Sequence, residues 1–448
     1  MKVLDRFGIW LILAVGAFLR LWDLGYPHKL VFDETYYVKD AWTLSAVGHE
    51  LAWPNNPNPA FEAGNVNGFL TTNEYVVHPP LGKWIIAIGM RTFGAQNSFG
   101  WRISVALIGI ALIYLAFAVA KRVLRSKRWG LLVAGLLALD GEAIVMARTG
   151  LLDTILAFFV LLAFYFLLRD LESETDTIWR RPWLLAMALA LGAATAVKWS
   201  GIFFLAAFCL YVVGRFAVRT KNFWATGYKA IATFVLVVPL AIATYLASWV
   251  GWFISPGGYG KNLDSNPLVA LWKYHENAYA FHVGLSTAHP YQSNPFTWLF
   301  MLRPTSFFYE TCGNGCSTAI TAVGNPLIWW IGAIAVIVTF FGWVTKRDRL
   351  SGLVLIGLVG GYVPWLFYPH RTVFEFYTIA FEFWILLAIV LFLKQLVEAA
   401  ERPRLARRLV VIYAGLCALA SLFFAPIWWG TKIPYWFWLA HMWLPSWI

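Results

Sequence analysis

Long apolar runs constrain the fold of this chain more than any other feature. They recur from end to end, for example at residues 103–120, 231–250, 326–344 and 409–425. Each run is long enough to cross a hydrocarbon core of about 30 Å as a helix. With 60% hydrophobic residues and a mean hydropathy of +0.65, the chain is far more apolar than soluble globular proteins. The sequence predicts an all-α, polytopic membrane protein.

The positive charges predict the topology. A net charge of +12 could indicate a nucleic-acid partner, but 22 of the 35 Lys and Arg residues lie in short loops that alternate with poorly basic ones. By the positive-inside rule, the basic loops are cytoplasmic. We therefore expect about eleven transmembrane helices, a cytoplasmic N-terminus, an extracytoplasmic C-terminus and no nucleic-acid partner. The basic loops contain Lys2 and Arg6; Lys121, Arg122, Arg125, Lys127 and Arg128; Arg169, Arg180 and Arg181; Arg215, Arg219, Lys221 and Lys229; Lys346, Arg347 and Arg349; and Lys394, Arg402, Arg404, Arg407 and Arg408.

Two segments decide this count. Residues 183–213 are interrupted by polar residues at 198–201, and dividing them into two short helices keeps the later basic loops on the cytoplasmic side. Residues 81–93 are apolar but short, and a span there would place the basic cluster at 121–128 outside. We therefore expect 81–93, like 35–47, to form a helix that lies on the membrane surface. The first apolar stretch has no convincing cleavage site, so it is interpreted as an uncleaved anchor.

Two exterior segments, 23–102 and 252–325, are long enough to fold. Because the chain has no internal repeat and no soluble domain boundary, residues 1–448 are interpreted as one integral-membrane domain. In the second segment, Cys312 and Cys316 enclose two glycines, a spacing that permits a small disulfide in an oxidising compartment. A zinc site is less favoured there because no two further ligands are near. Cys209 and Cys417 lie in apolar runs, where packing roles are expected.

Charged and polar residues from several separate loops fall at or near the predicted exterior interface. A charge at that depth is costly unless it is paired or lines a wet cavity, so the cluster predicts a pocket. Lys and Arg suit a phosphate, and a carboxylate suits general-base catalysis on a hydroxyl. The combination indicates group transfer from a lipid phosphate. The residues are Asp33, Glu34, His78, Lys83, Arg102, Arg148, Asp153, Lys198, His370 and Arg371.

Structural roles are open for several of these residues. Lys83, Arg91 and Arg102 could each extend to lipid headgroups. Asp33 and Glu34 could cap the helix that follows them.

Two further interpretations remain open. His282 and His289 are more typical of surface histidines than of ligands. A transporter, with Asp140 and Glu382 in its pathway, is an alternative of a different class, but the chain lacks the duplicated halves that transporters commonly show.

Five motifs resemble those of the protein O-mannosyltransferases, membrane glycosyltransferases of the GT-C class that use a polyprenyl-phosphate sugar. The resemblance covers almost the whole chain. The motifs are Val31-Phe-Asp-Glu-Thr-Tyr-Tyr37, His78-Pro-Pro-Leu-Gly-Lys83, Ala147-Arg-Thr-Gly-Leu-Leu-Asp153, Val197-Lys-Trp-Ser-Gly201 and Met442-Trp-Leu-Pro-Ser-Trp-Ile448.

The resemblance implies inverting, single-displacement transfer of mannose from polyprenyl-phosphate-mannose to Ser and Thr hydroxyls of secreted polypeptides. It implies a bacterial plasma membrane, an extracytoplasmic site, and acceptors that arrive from the Sec translocon. Asp33 would be the base, and Glu34 would orient the acceptor or the sugar. The departing phosphate would be stabilised chiefly by Lys83, Arg148 and Arg371, with His78, Lys198 and His370 in secondary roles and Asp153 and Arg102 as supporting residues.

One departure and two alternatives accompany the resemblance. Eukaryotic members carry a large soluble domain where this chain has only residues 252–325, so this shorter acceptor-side loop or the translocation machinery would select acceptors. No cofactor is required, because Lys and Arg can neutralise the phosphate, although Asp33 and Glu34 could hold a divalent ion. The transferred sugar could instead be a pentose passed to a glycan or a lipid.

Overall fold

The computed structural model describes residues 2–173, 179–313 and 315–448. The chain is mostly helical. The α-helices are α1 (Lys2–Leu21), α2 (Glu34–Val47), α3 (Asn58–Glu62), α4 (Leu81–Phe93), α5 (Ser98–Val123), α6 (Lys127–Leu139), α7 (Gly141–Ala147), α8 (Asp153–Glu172), α9 (Pro182–Val197), α10 (Gly201–Thr220), α11 (Phe223–Ser248), α12 (Val250–Ile254), α13 (Pro267–Gly284), α14 (Pro326–Lys346), α15 (Arg349–Gly361), α16 (Glu382–Ala399), α17 (Pro403–Trp429) and α18 (Tyr435–Ala440). Short 3₁₀ helices cover Lys261–Leu263, Pro295–Phe300, Val363–Phe367, Glu375–Ala380 and Pro445–Trp447.

Six of the described helices are long and apolar enough to cross a membrane. They are α5, α8, α10, α11, α14 and α17, and the pair α6 and α7, bent by 63° at its break, would be a seventh. Two shorter apolar helices, α9 and α15, accompany them. These helices confirm a polytopic membrane protein, whereas the number eleven and the orientation of the termini stay predictions.

The break predicted within 183–213 is confirmed. The first helix, α9, ends at Val197, and α10 begins at Gly201. The two helices approach so closely there that a Cβ on Gly201 would lie 2.5 Å from the backbone nitrogen of Thr195. The helix predicted at 81–93 also has those bounds, and at about 1.5 Å per residue it is too short to cross a bilayer.

Burial separates a central group of helices from a peripheral group. Well over half of the apolar window of α5 and of α8 is buried, compared with about a quarter in α10, α11 and α17. Residues 382–391 of α16 are all buried, so this helix also belongs to the centre. The exposed apolar faces of the peripheral helices suit contact with lipid tails. The central helix α8 and its neighbour α9 carry candidate site residues at their ends.

The prediction of an all-α fold omitted a small antiparallel sheet. Its strands are β1 (Thr305–Thr311), β2 (Cys316–Ala322) and β3 (Ile433–Pro434), in the order β1-β2-β3. A disulfide between Cys312 and Cys316 closes the β1–β2 hairpin, with Cα atoms 5.2 Å apart. The aromatic and Thr-rich sequence of β1 favours a strand. Cys417 is buried in α17 and Cys209 is half-buried in α10.

Asp140 lies at the bend between α6 and α7. Its carboxylate accepts hydrogen bonds from the N–H of Glu142 at 2.9 Å, the N–H of Asn325 at 2.9 Å and the indole of Trp329 at 3.1 Å. Asp140 therefore caps α7 and attaches this bend to the start of α14. This role is structural, whereas the transporter alternative would place Asp140 in a transport pathway.

Candidate functional site

A cavity lies where α8 begins, α9 ends and α10 begins, with α13 and residues 361–380 on its other side. It brings together four residues that the sequence placed in a pocket: His78, Asp153, Lys198 and Arg371. Aromatic side chains form much of the remaining wall, namely Trp199, Phe203, Phe204, Tyr279, Trp365, Tyr368 and Tyr377. Such a mixture of rings and a few charges is typical of a small-molecule site.

A buried ion pair forms the polar wall of this cavity. The ammonium of Lys198 donates to both carboxylate oxygens of Asp153, each at 2.9 Å, and both side chains are less than a tenth exposed. Lys198 follows the last residue of α9, and Asp153 is the first residue of α8. The Lys198 ammonium also lies 4.9 Å from the centre of the Tyr377 ring. The local break between α9 and α10 thus presents a paired cation to the cavity.

Asp33 lies directly before α2, close enough to this ion pair to be influenced by both of its charges, although it is not among the residues that line the cavity. Although it occupies the N-cap position, its side chain makes no capping hydrogen bond, so the capping interpretation of Asp33 is wrong. One of its oxygens accepts a long hydrogen bond, 3.5 Å, from the hydroxyl of Tyr37. Most of the hydrogen-bonding capacity of Asp33 is therefore unused by described protein groups, as a group that meets a substrate requires.

The surroundings of Asp33 change its acidity. Burial raises the pKa of Asp33 to about 6; the charge of Lys198 lowers the pKa and that of Asp153 raises it. The pKa of an Asp side chain without such surroundings is about 4. The carboxylate is a stronger base than expected and is still ionised at neutral pH, which suits a group that accepts a proton from a hydroxyl.

Glu34 has a different environment from its neighbour. Its carboxylate accepts two hydrogen bonds from the guanidinium of Arg102, at 2.8 and 2.9 Å. It accepts two more from the backbone N–H groups of Gly150, at 2.7 Å, and Val31, at 3.0 Å. The Glu34 and Arg102 side chains are almost completely buried. Glu34 therefore holds the loop before α2 against α5 and the segment before α8.

Arg148 and Arg102 both bind backbone carbonyl oxygens. Arg148 donates to the carbonyls of residues 19, 20, 22 and 23, at 2.7–3.4 Å, around the C-terminal end of α1. The remaining N–H groups of Arg102 donate to the carbonyls of residues 24, 27 and 29. Neither residue lines the cavity. Cations near a helix C-terminus satisfy its last carbonyls, and this is where the structure places Arg148 instead of at a phosphate.

Two other predicted phosphate ligands also lie away from the cavity. Lys83, on α4, is buried and forms an ion pair with Glu50. His370 is exposed and is absent from the cavity wall. The motif that begins at His78 is therefore divided: its histidine reaches the cavity, whereas its lysine pairs elsewhere.

Arg371 reaches the cavity with the help of His282, for which the sequence favours a surface position. The Nη2 atom of Arg371 lies 3.1 Å from Nδ1 of His282, and Nε2 of His282 lies 3.0 Å from the carbonyl oxygen of Val77. Nε2 must therefore donate and Nδ1 accept, which requires a neutral ring. Burial lowers the pKa of His282 to about 4, so the ring is neutral. The prediction of a surface role for His282 is wrong.

His78 completes the ring cluster around the cavity. Its ring centre lies 5.3 Å from that of His282 and 5.8 Å from that of Tyr37. Burial lowers its pKa, and the charge of Lys198 lowers it further. Tyr37 lay within a quoted motif but had no predicted role, and the aromatic wall residues were missed. The one sequence signal for an aromatic wall residue is a position next to a charged motif residue, as Trp199 follows Lys198.

Within the described residues, no group of three or more His, Cys, Asp or Glu side chains is arranged to hold a metal ion. Asp33 and Glu34 also have different partners, because Glu34 is held by Arg102. The carboxylate pair therefore does not present both groups to one ion.

Comparison with known families gives two matches that together cover most of the chain. Residues 10–252 match the family model described as dolichyl-phosphate-mannose-protein mannosyltransferase. Residues 267–447 match the model for the C-terminal four-transmembrane region of protein-O-mannosyltransferase.

Curated relatives match over nearly their full lengths. The polyprenol-phosphate-mannose–protein mannosyltransferase of Mycobacterium tuberculosis is 30% identical, with 99% of this chain and 93% of the relative covered. The protein of the same name from Corynebacterium glutamicum is 29% identical, with 98% and 93% covered.

Solved membrane glycosyltransferases share the fold. The Saccharomyces cerevisiae Pmt1–Pmt2 complex bound to the sugar donor matches with a TM-score of 0.75 and 15% identity, covering 100% of this chain and 93% of the other. ArnT from Cupriavidus metallidurans bound to undecaprenyl phosphate matches with a TM-score of 0.59 and 17% identity, covering 94% and 71%. At these identities the matches establish the GT-C fold.

Proposed function

Because the chain belongs to the dolichyl-phosphate-mannose-protein mannosyltransferase family, we propose that it transfers mannose from polyprenyl-phosphate-mannose to Ser and Thr hydroxyls of secreted polypeptides. The family is one of glycosyltransferases, and the matched relatives are named for this donor and for a protein acceptor. One structural observation carries the proposal. Asp33, whose pKa is raised and whose carboxylate accepts a single long hydrogen bond, lies near a cavity lined by Lys198 and Arg371.

Each group has a role in a single displacement at the anomeric carbon. The acceptor oxygen bonds to this carbon while the bond from the carbon to the phosphate oxygen breaks, which inverts the configuration. Asp33 accepts the hydroxyl proton, and general-base catalysis of this kind contributes about 10² to 10⁴ in rate. Lys198 and Arg371 stabilise the negative charge on the departing polyprenyl phosphate.

The geometry favours a narrower set of phosphate-binding residues than the sequence did. Lys198 and Arg371 border the cavity, with neutral His78 and His282 beside them. Arg148, Lys83 and His370 have positions outside it, so we assign them structural roles or none in donor binding. Asp153 keeps Lys198 in place through two hydrogen bonds.

An apolar cavity next to the site suits the lipid tail of the donor. It has a volume of about 660 Å³, lies among α9, α10, α11 and α13, and shares Trp199, Ile202 and Tyr279 with the first cavity. A prenyl chain placed there would leave its phosphate at Lys198 and Arg371. Burial of its methylene and methyl groups would stabilise binding through the hydrophobic effect.

For the topology, we propose eleven spans in a bacterial plasma membrane, with the N-terminus cytoplasmic and the C-terminus and site extracytoplasmic. The eleven spans would be the six long helices, the bent α6–α7 pair, α1, α9, α16, and α15 together with the 3₁₀ helix Val363–Phe367 that follows it. We further propose that acceptors arrive from the Sec translocon and that no metal is required. Full transfer in the presence of a chelator would support the last point.

A transfer assay tests the function. Purified protein is incubated with radiolabelled polyprenyl-phosphate-mannose and a Ser/Thr-containing peptide, and a matched peptide with Ala at each hydroxyl position is the control. We expect label in the hydroxyl peptide alone. Label confined to lipid or glycan in membranes that carry this protein would contradict a protein acceptor.

A further inference from the structure

Strand β1 is an edge of the three-stranded sheet. Its one neighbour in the sheet is β2; among the described residues, its other contacts with helices include those of the Phe307 ring with Phe376 and of the Tyr309 ring with Trp438. Its residues become more exposed along the strand, from buried Thr305 to exposed Thr311. An edge strand presents unpaired N–H and C=O groups that can bind another extended chain.

The direction of the free backbone groups follows from the hairpin. The N–H of Cys312 donates to the carbonyl of Cys316, so residue 312 faces β2. Because backbone groups alternate in direction along a strand, those of Glu310 also face β2 and those of Tyr309 and Thr311 face the free edge. No backbone hydrogen bond to this edge occurs within the described ranges.

The buried end of β1 touches the segment that carries the candidate base. The ring of Phe307 stacks on that of Phe32, with centres 4.8 Å apart and an interplanar angle of 5°, and Phe32 directly precedes Asp33. Phe307 is the additional residue of a β-bulge, since the register shifts between Ser306 and Phe308. Bulges redirect side chains and often occur beside active sites. The free edge thus leads from the exposed hairpin toward Asp33.

Beyond the bulge, residues 308–311 of the edge lack the proline and the unpaired charge that keep strands from pairing with other chains. This stretch contains no proline, and its single charge, Glu310, forms an ion pair with Lys29 from the segment before Asp33. Neutralising this charge removes the repulsion that would discourage a second strand.

From these observations we propose that the free edge of β1 binds the acceptor polypeptide as an added β-strand, which positions its Ser or Thr hydroxyl at Asp33. This inference rests on the proposed function. Main-chain pairing suits an extended acceptor polypeptide, because the affinity of an added strand comes from its backbone hydrogen bonds and depends little on its side chains. Between Phe307 and Thr311 the strand rises by about 13 Å at roughly 3.3 Å per residue. The acceptor would therefore pair with Tyr309 and Thr311 within a few residues of its hydroxyl.

A backbone-methylation scan of the acceptor tests this pairing without altering the protein. Each member of a peptide series with one central Thr carries a single N-methyl group at a different position, and kcat and KM are measured for each. We expect two sensitive positions on one side of Thr, separated by one insensitive position. Each should raise KM by about fivefold, as the loss of one hydrogen bond would, and leave kcat unchanged.

The parent peptide separates this inference from the proposed function. If the unmethylated peptide receives no mannose, the proposed function fails and the strand inference fails with it. If the parent is glycosylated but KM is the same throughout the series, or the sensitive positions are consecutive, only the strand inference is overturned.

A pair of variants tests the protein side. Tyr309→Pro removes an N–H from the free edge, whereas Tyr309→Ala removes the same ring and keeps the N–H. Proline is tolerated on the free side of an edge strand. We expect KM for the peptide to be about fivefold higher in the proline variant than in the alanine variant, with equal transfer to N-acetylthreonine amide, which is too short to pair with β1. Equal peptide KM values in two folded variants would overturn the inference.

Discussion

Asp33 and Glu34 are adjacent in the sequence and have opposite environments. Glu34 accepts four hydrogen bonds and is completely buried beside Arg102. Asp33 accepts one long hydrogen bond and lies within the electrostatic influence of Lys198 and Asp153. The comparison teaches that a carboxylate with all its lone pairs in use stabilises the fold, whereas one with few protein partners is available for chemistry.

The same contrast separates the cations. Arg148 is bound to four carbonyl oxygens at the end of α1, while Arg371 lines the cavity and contacts neutral His282. Four predictions test this division between residues that stabilise the fold, such as Glu34 and Arg148, and residues that act on the substrate, such as Asp33 and Arg371.

The largest effect is expected at the base. Asp33→Asn keeps the shape of the side chain and removes its ability to accept a proton. We expect the transfer rate to fall by about 10² to 10⁴, with the melting temperature in detergent unchanged. Transfer at the wild-type rate in a folded Asp33→Asn protein would remove Asp33 from the mechanism and reopen the transporter alternative.

The next effect distinguishes the two kinds of cation. Arg371→Met should lower kcat by about 10² because one charge that stabilises the departing phosphate is lost. Arg148→Met is the matched control: it should lower the melting temperature and change kcat per folded molecule by less than about threefold, since removal of a residue with a purely structural role leaves the chemistry intact. A large loss of kcat in folded Arg148→Met, with normal turnover in Arg371→Met, would reverse our assignment.

Glu34→Gln should affect stability more than rate. The substitution breaks a buried pair and leaves Arg102 with an uncompensated charge, which costs about 3–5 kcal/mol in unfolding free energy. The measurement is the denaturation midpoint of the purified protein, with Glu62→Gln in the same exterior segment as a control. If Glu34→Gln unfolds like the wild type but loses transfer, Glu34 acts on the substrate as the family resemblance first implied.

The smallest effect is expected at His282. His282→Ala removes the hydrogen-bond acceptor that positions Arg371, and the loss of about 1 kcal/mol corresponds to roughly a fivefold rise in KM for the donor. His289→Ala, on the loop that follows α13, should leave this KM unchanged. Equal effects of the two substitutions would show that the contact with Arg371 does not position the guanidinium.

The sequence predicted the features that depend on local pattern and charge. The division into α9 and α10 followed from Lys198 and the polarity of its neighbours, and the helix at 81–93 followed from its short apolar run. The pairing of Asp153 with Lys198 was not predicted, although both were placed at the site. Sequence motifs identify residue types, but they do not reveal which hydrogen bonds are already satisfied.

Long-range packing explains the remaining differences. Arg148 and Arg371 have the same chemistry, and only the fold places one at a helix end and the other at a cavity. His282 was missed because its partners, Val77 and Arg371, are distant in sequence. The small sheet was missed because apolar and aromatic residues dominate the whole chain, so the short strand pattern of β1 does not stand out.

The pH dependence of transfer tests the central claim most directly. A base with a pKa near 6 is ionised above that pH and becomes protonated below it. We therefore expect kcat/KM of the wild type to be constant between about pH 7 and 8 and to fall about tenfold per unit below about pH 6. The residual rate of Asp33→Asn should lack this decrease. A wild-type profile that stays flat to about pH 5 would contradict the raised pKa of Asp33, and an Asp33→Asn profile with the same decrease as the wild type would contradict the assignment of Asp33 as the base.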